Sequence, residues 1–272
     1  MRLIGLLSSV LAWLYAALLN NPTVRSAPVR TQGYGDRQDP RKETRIGFRP
    51  QICCDTGTVA SLLVVPPVHL AGDAYTTLCT ALRQYSVWRD EGLKTPPLVI
   101  ELPREIAETA QLAQPLIWEI DRQDMDSQRI IFSAPSSGGR DTRLEGMALL
   151  ARFGCGVEVN CLDQMALQIL GEVDPEIARL RIPAGFLENC HSTPQSGRLI
   201  LSLLAVADRF GAQSVAETVE SRKDHGFLAQ LGCNIVQGEA VAPVLDPGAT
   251  AVFLSEYAGP QIAPIPYPRP AA

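Results

Sequence analysis

Between Leu98 and Gln237 the chain repeats one pattern: a short apolar run, then an amphipathic stretch, often ended by glycine. Leu98–Leu102 (LVIEL), Ile130–Phe132, Gly156–Asn160, Leu180–Ile182, Ser214–Ala216 and Ile235–Gln237 read as strands. Between them, helical spacing runs through Ile106, Ala110, Ala113 and Ile117, and Met165–Leu170 reads as helical. Leu144–Phe153 is a helix stopped by Gly154, Arg198–Phe210 is capped by Gly211, and Arg222–Leu231 ends at Gly232. Glycine takes the left-handed conformation at a helix end without a Cβ clash. Such βα units close as a parallel barrel or as an open doubly wound sheet. The chain has no GxGxxG or Walker A sequence, which weighs against the nucleotide-binding open sheets.

The alternation lies within one body, 45–257. Before it, Leu3–Leu19 is an apolar run broken only by Gly5, Ser8 and Ser9, long enough as a helix to cover roughly 25 Å. Residues 1–21 therefore read as a hydrophobic anchor, with a cleaved signal peptide as the rival reading. Only Arg2 precedes the run, whereas Arg25, Arg30, Arg37, Arg41, Lys42, Arg45 and Arg49 follow it. The positive-inside rule then places the body in the cytoplasm, tethered to the inner membrane by a single pass. Residues 22–44 read as a basic flexible linker, and 258–272, with Pro260, Pro264, Pro266, Pro268 and Pro270, as a Pro-rich disordered tail.

Composition narrows the function classes. A hydrophobic fraction of 46% with 19% charged residues suits a packed core. A net charge of −5 without a basic face in the body argues against nucleic acid as a partner. The seven cysteines are odd in number and show no CxxC spacing, so they read as buried thiols rather than a zinc site or disulfide framework. His69, His191 and His225 lack metal-ligand spacing, and no GxSxG elbow points to a nucleophilic serine.

The most specific segment is Ala216–Val244: AETVES, a helical stretch, then LGCNIVQGEAVAPV. It places Glu217 and Gln237 at the ends of successive strands, which in a parallel barrel gather around one pocket. With FRPQ at Phe48–Gln51 and LRIP at Leu180–Pro183, it resembles the bacterial EAL domain across most of 45–257. The resemblance implies an α/β fold, an EAL-type modified TIM barrel, here with an N-terminal membrane-anchor helix. It also implies metal-assisted hydrolysis of cyclic di-GMP, in which two divalent cations held by carboxylates activate water and neutralise phosphoryl charge.

Carried over position by position, the resemblance implies a depleted ligand set. The Glu-Ala-Leu tripeptide falls on Ala60-Ser61-Leu62 and the arginine after it on Val64. The asparagine of the next strand falls on Glu101, a glutamate on Ser133, and an aspartate pair on Asn160-Cys161. The lysine of LKID falls on Arg181 and its aspartate on Pro183, whereas Glu217, Glu220 and Gln237 match. Alanine cannot ligate, serine and asparagine are weak ligands for a hard dication, and cysteine is too soft. In sequence, no acidic pair stands near Asn160 and no glutamate near Ser133.

No catalytic residue, metal ligand or cofactor is therefore assigned. The candidate vestigial pocket is Glu217, Gln237, Arg181, Glu101 and Arg140, the last in the loop SAPSSGGRDTR, which reads either as a phosphate cradle or as plain surface. Glu217 is either a ligand contact or a carboxylate paired with Arg181, and Gln237 is expected to satisfy loop backbone groups. The implied function is an inactive, membrane-anchored regulatory or protein-interaction module in cyclic-di-GMP-linked signalling. A non-hydrolysing cyclic-di-GMP receptor is the alternative, and a phosphodiesterase with rearranged ligands is third. The protein partner is unidentified, and a homodimer is compatible with the family.

Overall fold

A computed structural model describes residues 46–67, 74–135, 144–161 and 177–257. Its eight strands close into a barrel in chain order: β1 (Gly47–Cys53), β2 (Val59–Val65), β3 (Leu98–Glu101), β4 (Ile130–Ser133), β5 (Gly156–Asn160), β6 (Ile177–Ile182), β7 (Gln213–Ala216) and β8 (Ile235–Val236). β1 runs antiparallel to both β2 and β8, and every other neighbouring pair is parallel. The fold is thus a TIM-like barrel with one reversed strand. The six strands read from the sequence are β3 to β8, and β1 and β2 close the circle as a hairpin.

Around the sheet lie α1 (Ala74–Asp90), α2 (Arg104–Glu108), α3 (Ala110–Arg122), α4 (Glu145–Arg152), α5 (Pro194–Arg209), α6 (Arg222–Leu231) and α7 (Pro247–Glu256). Outward-facing strand residues Leu98, Ile100, Ile130, Phe132, Val157, Leu180 and Ile182 meet Trp88, Leu116, Met147, Leu150, Leu203 and Leu228 from the helices in one core. Strand alternation sends one set of side chains to this layer and the other into the lumen, so one-residue offsets decide which residues reach the site.

Sequence periodicity anticipates α4, α5 and α6, and Gly232 caps α6 at φ +91° as expected. The helical run from Ile106 to Ile117 is instead two helices, because Thr109 between them is extended at φ −124°. The break suits a close crossing: a Cβ on Gly146 of α4 would lie 1.9 Å from the Ile106 carbonyl oxygen and 3.0 Å from that of Thr109. α1 and α7 are additions to the sequence reading. Among the described residues no helix is long and apolar enough to cross a membrane. The run Leu3–Leu19, the linker, the helical segment Met165–Leu170, Arg140 and the Pro-rich tail lie outside the described residues.

Candidate functional site

β3 to β8 deliver their C-terminal ends to one mouth. Glu101 ends β3 and pairs in register with Ser133, which ends β4 and pairs with Glu158 of β5. Asn160 of β5 pairs with Arg181 of β6, Glu217 directly follows β7, and Gln237 directly follows β8. Arg179 and Arg181 are two residues apart on β6, as are Glu158 and Asn160 on β5, so each pair shares the lumen face.

The centre of the mouth is Arg181. Its Nε lies 3.5 Å from Glu217 Oε2 and 3.8 Å from Glu158 Oε1. Ser133 Oγ donates to Glu158 Oε1 at 2.9 Å, and the Ala184 backbone N–H donates to Glu217 Oε1 at 3.2 Å. Glu101 is exposed at the rim, close enough for its charge to act on both Arg181 and Glu217. Arg181 is 7% exposed and Glu158 1% exposed, so these charges sit largely out of water. Burial opposes the charged form of Arg181, but Glu158, Glu217 and Glu101 together hold its pKa above the usual value. Burial also lifts the Glu217 carboxyl above its usual value, and Arg181 and the Ala184 N–H only partly offset this. Both members of the pair therefore shift upward. A guanidinium at 3.5 Å outside hydrogen-bond geometry does not repay the desolvation of Glu217. Arg181 Nε and Nη2 and Glu158 Oε2 are buried without hydrogen-bond partners among the described residues.

A second polar layer lies deeper. Arg179 Nη1 donates to Gln51 Oε1 at 3.0 Å and to Ser61 Oγ at 2.8 Å, and Ser61 Oγ also donates to Gln51 Oε1. Gln51 Nε2 donates to Gln237 Oε1 at 2.5 Å, tying the reversed strand β1 to the end of β8. Burial lowers the pKa of Arg179, and Glu158 above it partly restores it. At the rim, Arg49 Nη2 meets Glu239 Oε1 at 2.6 Å.

The structure thus gathers Glu101, Arg181 and Glu217 at one place. Gln237 lies in the layer below, bonded to Gln51 rather than to the loop backbone its strand-end position suggested. Glu158 and Arg179 escaped the sequence reading. Although no glutamate stands near Ser133 in the chain, the parallel pairing of β4 and β5 brings Glu158 within hydrogen-bond distance of it. The signal was a charged residue two places before Asn160, and another two before Arg181, in strands otherwise buried. Ala60 is also corrected. Register places Ser61 opposite Gln51 and Leu63 opposite Arg49, so the lumen face of β2 carries Ser61, Leu63 and Val65, and Ala60 is the residue skipped by the register shift near the strand's start. None of these lumen side chains offers a carboxylate.

The donor set does not fit two dications. Among the described residues Glu101, Glu158 and Glu217 are the mouth carboxylates, but a guanidinium stands between Glu158 and Glu217. Two dications would have to share these carboxylates with Arg181, which already offsets part of their charge. Cys161 is buried and its thiol is pushed up to about 12, leaving it a neutral soft atom. Among the described residues no group of three or more His, Cys, Asp or Glu is arranged to hold a metal ion.

Comparison with known proteins agrees with this geometry at the level of fold. The family model described as "EAL domain" matches residues 73–244. The cyclic di-GMP phosphodiesterase RocR of Pseudomonas aeruginosa is 28% identical over 108 residues, covering 40% of this chain and 26% of RocR. The cyclic di-GMP phosphodiesterase PdeR of Escherichia coli K12 is 29% identical over 168 residues, covering 58% of this chain and 24% of PdeR. The chain therefore spans about a quarter of the length of these curated relatives. The crystal structure of the EAL domain of Mycobacterium smegmatis DcpA superposes with a TM-score of 0.69 at 20% identity, covering 78% of this chain and 97% of that one.

Proposed function

The chain belongs to the EAL domain family, and from that premise we propose that it acts without hydrolysing cyclic di-GMP, as a regulatory or protein-interaction module in cyclic-di-GMP-linked signalling. One observation carries the reading: the position of Arg181 between Glu158 and Glu217 at the barrel mouth. Phosphodiester hydrolysis by two dications needs a cluster of free carboxylates open to metal. Here the carboxylates share a fixed monocation, and Ser133, Asn160, Cys161 and the lumen face of β2 supply no further acid. The barrel itself keeps an intact core, so the scaffold is free to serve through its surface. The hydrophobic N-terminal run supports tethering to the inner membrane with the body in the cytoplasm.

The test is turnover. The full chain, incubated with cyclic di-GMP and either magnesium or manganese, is expected to release no linear dinucleotide above the uncatalysed background. Metal-dependent release abolished by Glu217→Ala would overturn the proposal.

A second reading, a non-hydrolysing cyclic-di-GMP receptor, is favoured by the donors Arg181 Nε and Nη2, which hold no hydrogen bond among the described residues. Titration calorimetry separates the two readings. Heat on addition of cyclic di-GMP that is lost in Arg181→Met selects the receptor, and no heat at high micromolar ligand selects the interaction module.

A further inference from the structure

Three cysteines cluster at the base of the barrel, opposite the mouth. β1 ends there at Cys53, which pairs with Ile235 at the start of β8, and the Cys54 backbone N–H donates to the Asn234 carbonyl at 2.9 Å. Cys233 is the residue before Asn234. Successive strand residues face opposite ways, so Cys53 follows Gln51 to the lumen side, whereas Cys54 packs with Cys233 on the outer core. The Cys54 and Cys233 sulfurs face each other within reach of a side-chain hydrogen bond. Cys233 is 1% exposed and its thiol donates to the Ile235 carbonyl at 3.3 Å, whereas Cys54 is only half-buried. Contact with Cys233, and then burial, pushes the Cys54 thiol up, while the same contact brings Cys233 down. The pair is therefore ordered, with the Cys54 S–H donating and the Cys233 sulfur accepting. Burial would raise the Cys53 thiol, but its contacts with Thr56 outweigh this and lower it, which makes Cys53 the competing nucleophile.

We propose that Cys54 and Cys233 form an oxidative modification site, a dithiol that hydrogen peroxide converts to a disulfide between the first strand of the barrel and the segment entering the last. Once Cys233 has lost its proton, that of Cys54 crosses the contact, and the thiolate stands on the accessible sulfur. The Cys54 thiolate attacks the peroxide: an S–O bond forms, the O–O bond breaks, and the leaving hydroxide takes up a proton as water. The Cys233 thiol then attacks the Cys54 sulfur: the S–S bond forms, the S–O bond breaks, and a second water leaves with the Cys233 proton. Two thiols are oxidised by two electrons and one peroxide is reduced to two waters. The bond fastens the β1–β8 seam, where Ile52 pairs with Val236 and Cys53 with Ile235. Gln51 reaches across the same seam to Gln237, so the oxidation state of the base bears on the lumen layer above it. The site stands whether or not the mouth is catalytic.

The full chain, reduced and freed of reductant, is titrated with hydrogen peroxide, digested in acid and mapped by mass spectrometry, with Cys53→Ser, Cys54→Ser and Cys233→Ala alongside. The wild type is expected to lose two thiols and to yield one peptide pair linked through Cys54 and Cys233, released by dithiothreitol. Its melting temperature should rise by about 5 °C or more on oxidation, because the crosslink closes a long loop. Cys53→Ser should keep both the link and the rise, and Cys54→Ser should lose both. Should Cys233→Ala fail to fold, the linkage map of the wild type decides. A link between Cys53 and Cys54, sulfinic acid at Cys54 without a link, or no loss of thiol at peroxide levels that oxidise free cysteine would each overturn the proposal.

Discussion

Asp224 and His191 meet across 33 residues of chain, with Nδ1 of the imidazole 2.7 Å from Oδ1 of the carboxylate. The same Oδ1 accepts from the His191 backbone N–H at 3.2 Å and from Cys190 Sγ at 3.3 Å, while Ser221 Oγ donates to Oδ2 at 2.5 Å. Ser221 in turn caps α6 by accepting from the Asp224 backbone N–H at 3.0 Å. One buried carboxylate therefore holds the capping hydroxyl of Ser221 and pins the loop after β6. Asp224→Ala is expected to cost about 1–3 kcal/mol, because it strands the buried donors of Ser221, His191 and Cys190. Urea unfolding should show a lower midpoint at unchanged slope.

The same carboxylate sets an acid limit. Burial would raise its pKa, but the donors from Ser221, His191 and Cys190 outweigh burial and bring it from 3.8 to about 2. A depressed carboxylate stabilises the fold above its unfolded pKa and loses that contribution as the pH falls through its folded value. The contribution, on the order of 2 kcal/mol, is thus full above about pH 4 and gone by about pH 2. Unfolding free energies of wild type and Asp224→Asn should converge across that window and differ by a constant above it.

Gln51 is the hinge of the lower lumen layer, accepting from Arg179 and donating to Gln237. Gln51→Leu leaves Arg179, 3% exposed, with Ser61 as its remaining direct acceptor. A loss of about 2–4 kcal/mol is expected from an under-satisfied buried cation. Hydrogen exchange should accelerate first at the β1–β8 seam, where Ile52 pairs with Val236.

Gly238, just beyond the mouth layer, has φ +142°, and a Cβ there would meet the backbone N and O of Val219 at 2.3 Å. The Val219 N–H donates to the Gln237 carbonyl at 2.8 Å, so the contact cannot open without breaking this bond. Gly238→Ala should destabilise by about 3 kcal/mol or more, from backbone strain added to overlap. Thermal melting read by circular dichroism gives the comparison.

Trp88 and Trp118 should respond in opposite ways. Trp88 is 1% exposed and packs edge-on to Phe48 with ring centroids 4.7 Å apart, whereas Trp118 is 64% exposed on α3. Trp88→Ala is expected to cost about 3–5 kcal/mol. Trp118→Ser should stay within about 0.5 kcal/mol. Midpoints of urea unfolding test both.

Strands β3 to β8 could be read from the chain because each is a short apolar run bounded by polar residues or glycine. Helices α4 to α6 could be read because their ends carry a glycine stop. The break at Thr109 could not be read this way, since the apolar spacing on either side continues in phase. The mouth was half legible. Glu217, Arg181 and Glu101 stand at strand ends, which periodicity locates. Glu158 and Arg179 are interior strand residues whose meaning depends on which face points inward. Ala60 is a related case: it falls at the register shift between β1 and β2, which residue spacing does not reveal.

The sequence by itself determined the βα repeat, the helix stops and the strand-end positions of Glu101, Arg181 and Glu217. These are local properties, set by the identity and spacing of neighbouring side chains. Only the tertiary structure decided that Glu158 lies on Ser133, that Gln51 reaches Gln237, and that Arg181 stands between Glu158 and Glu217. Those contacts depend on barrel closure and strand register, which bring distant residues to the same level of the lumen. Closure also buries Arg181 and Glu158, and that burial strengthens the interaction between their charges.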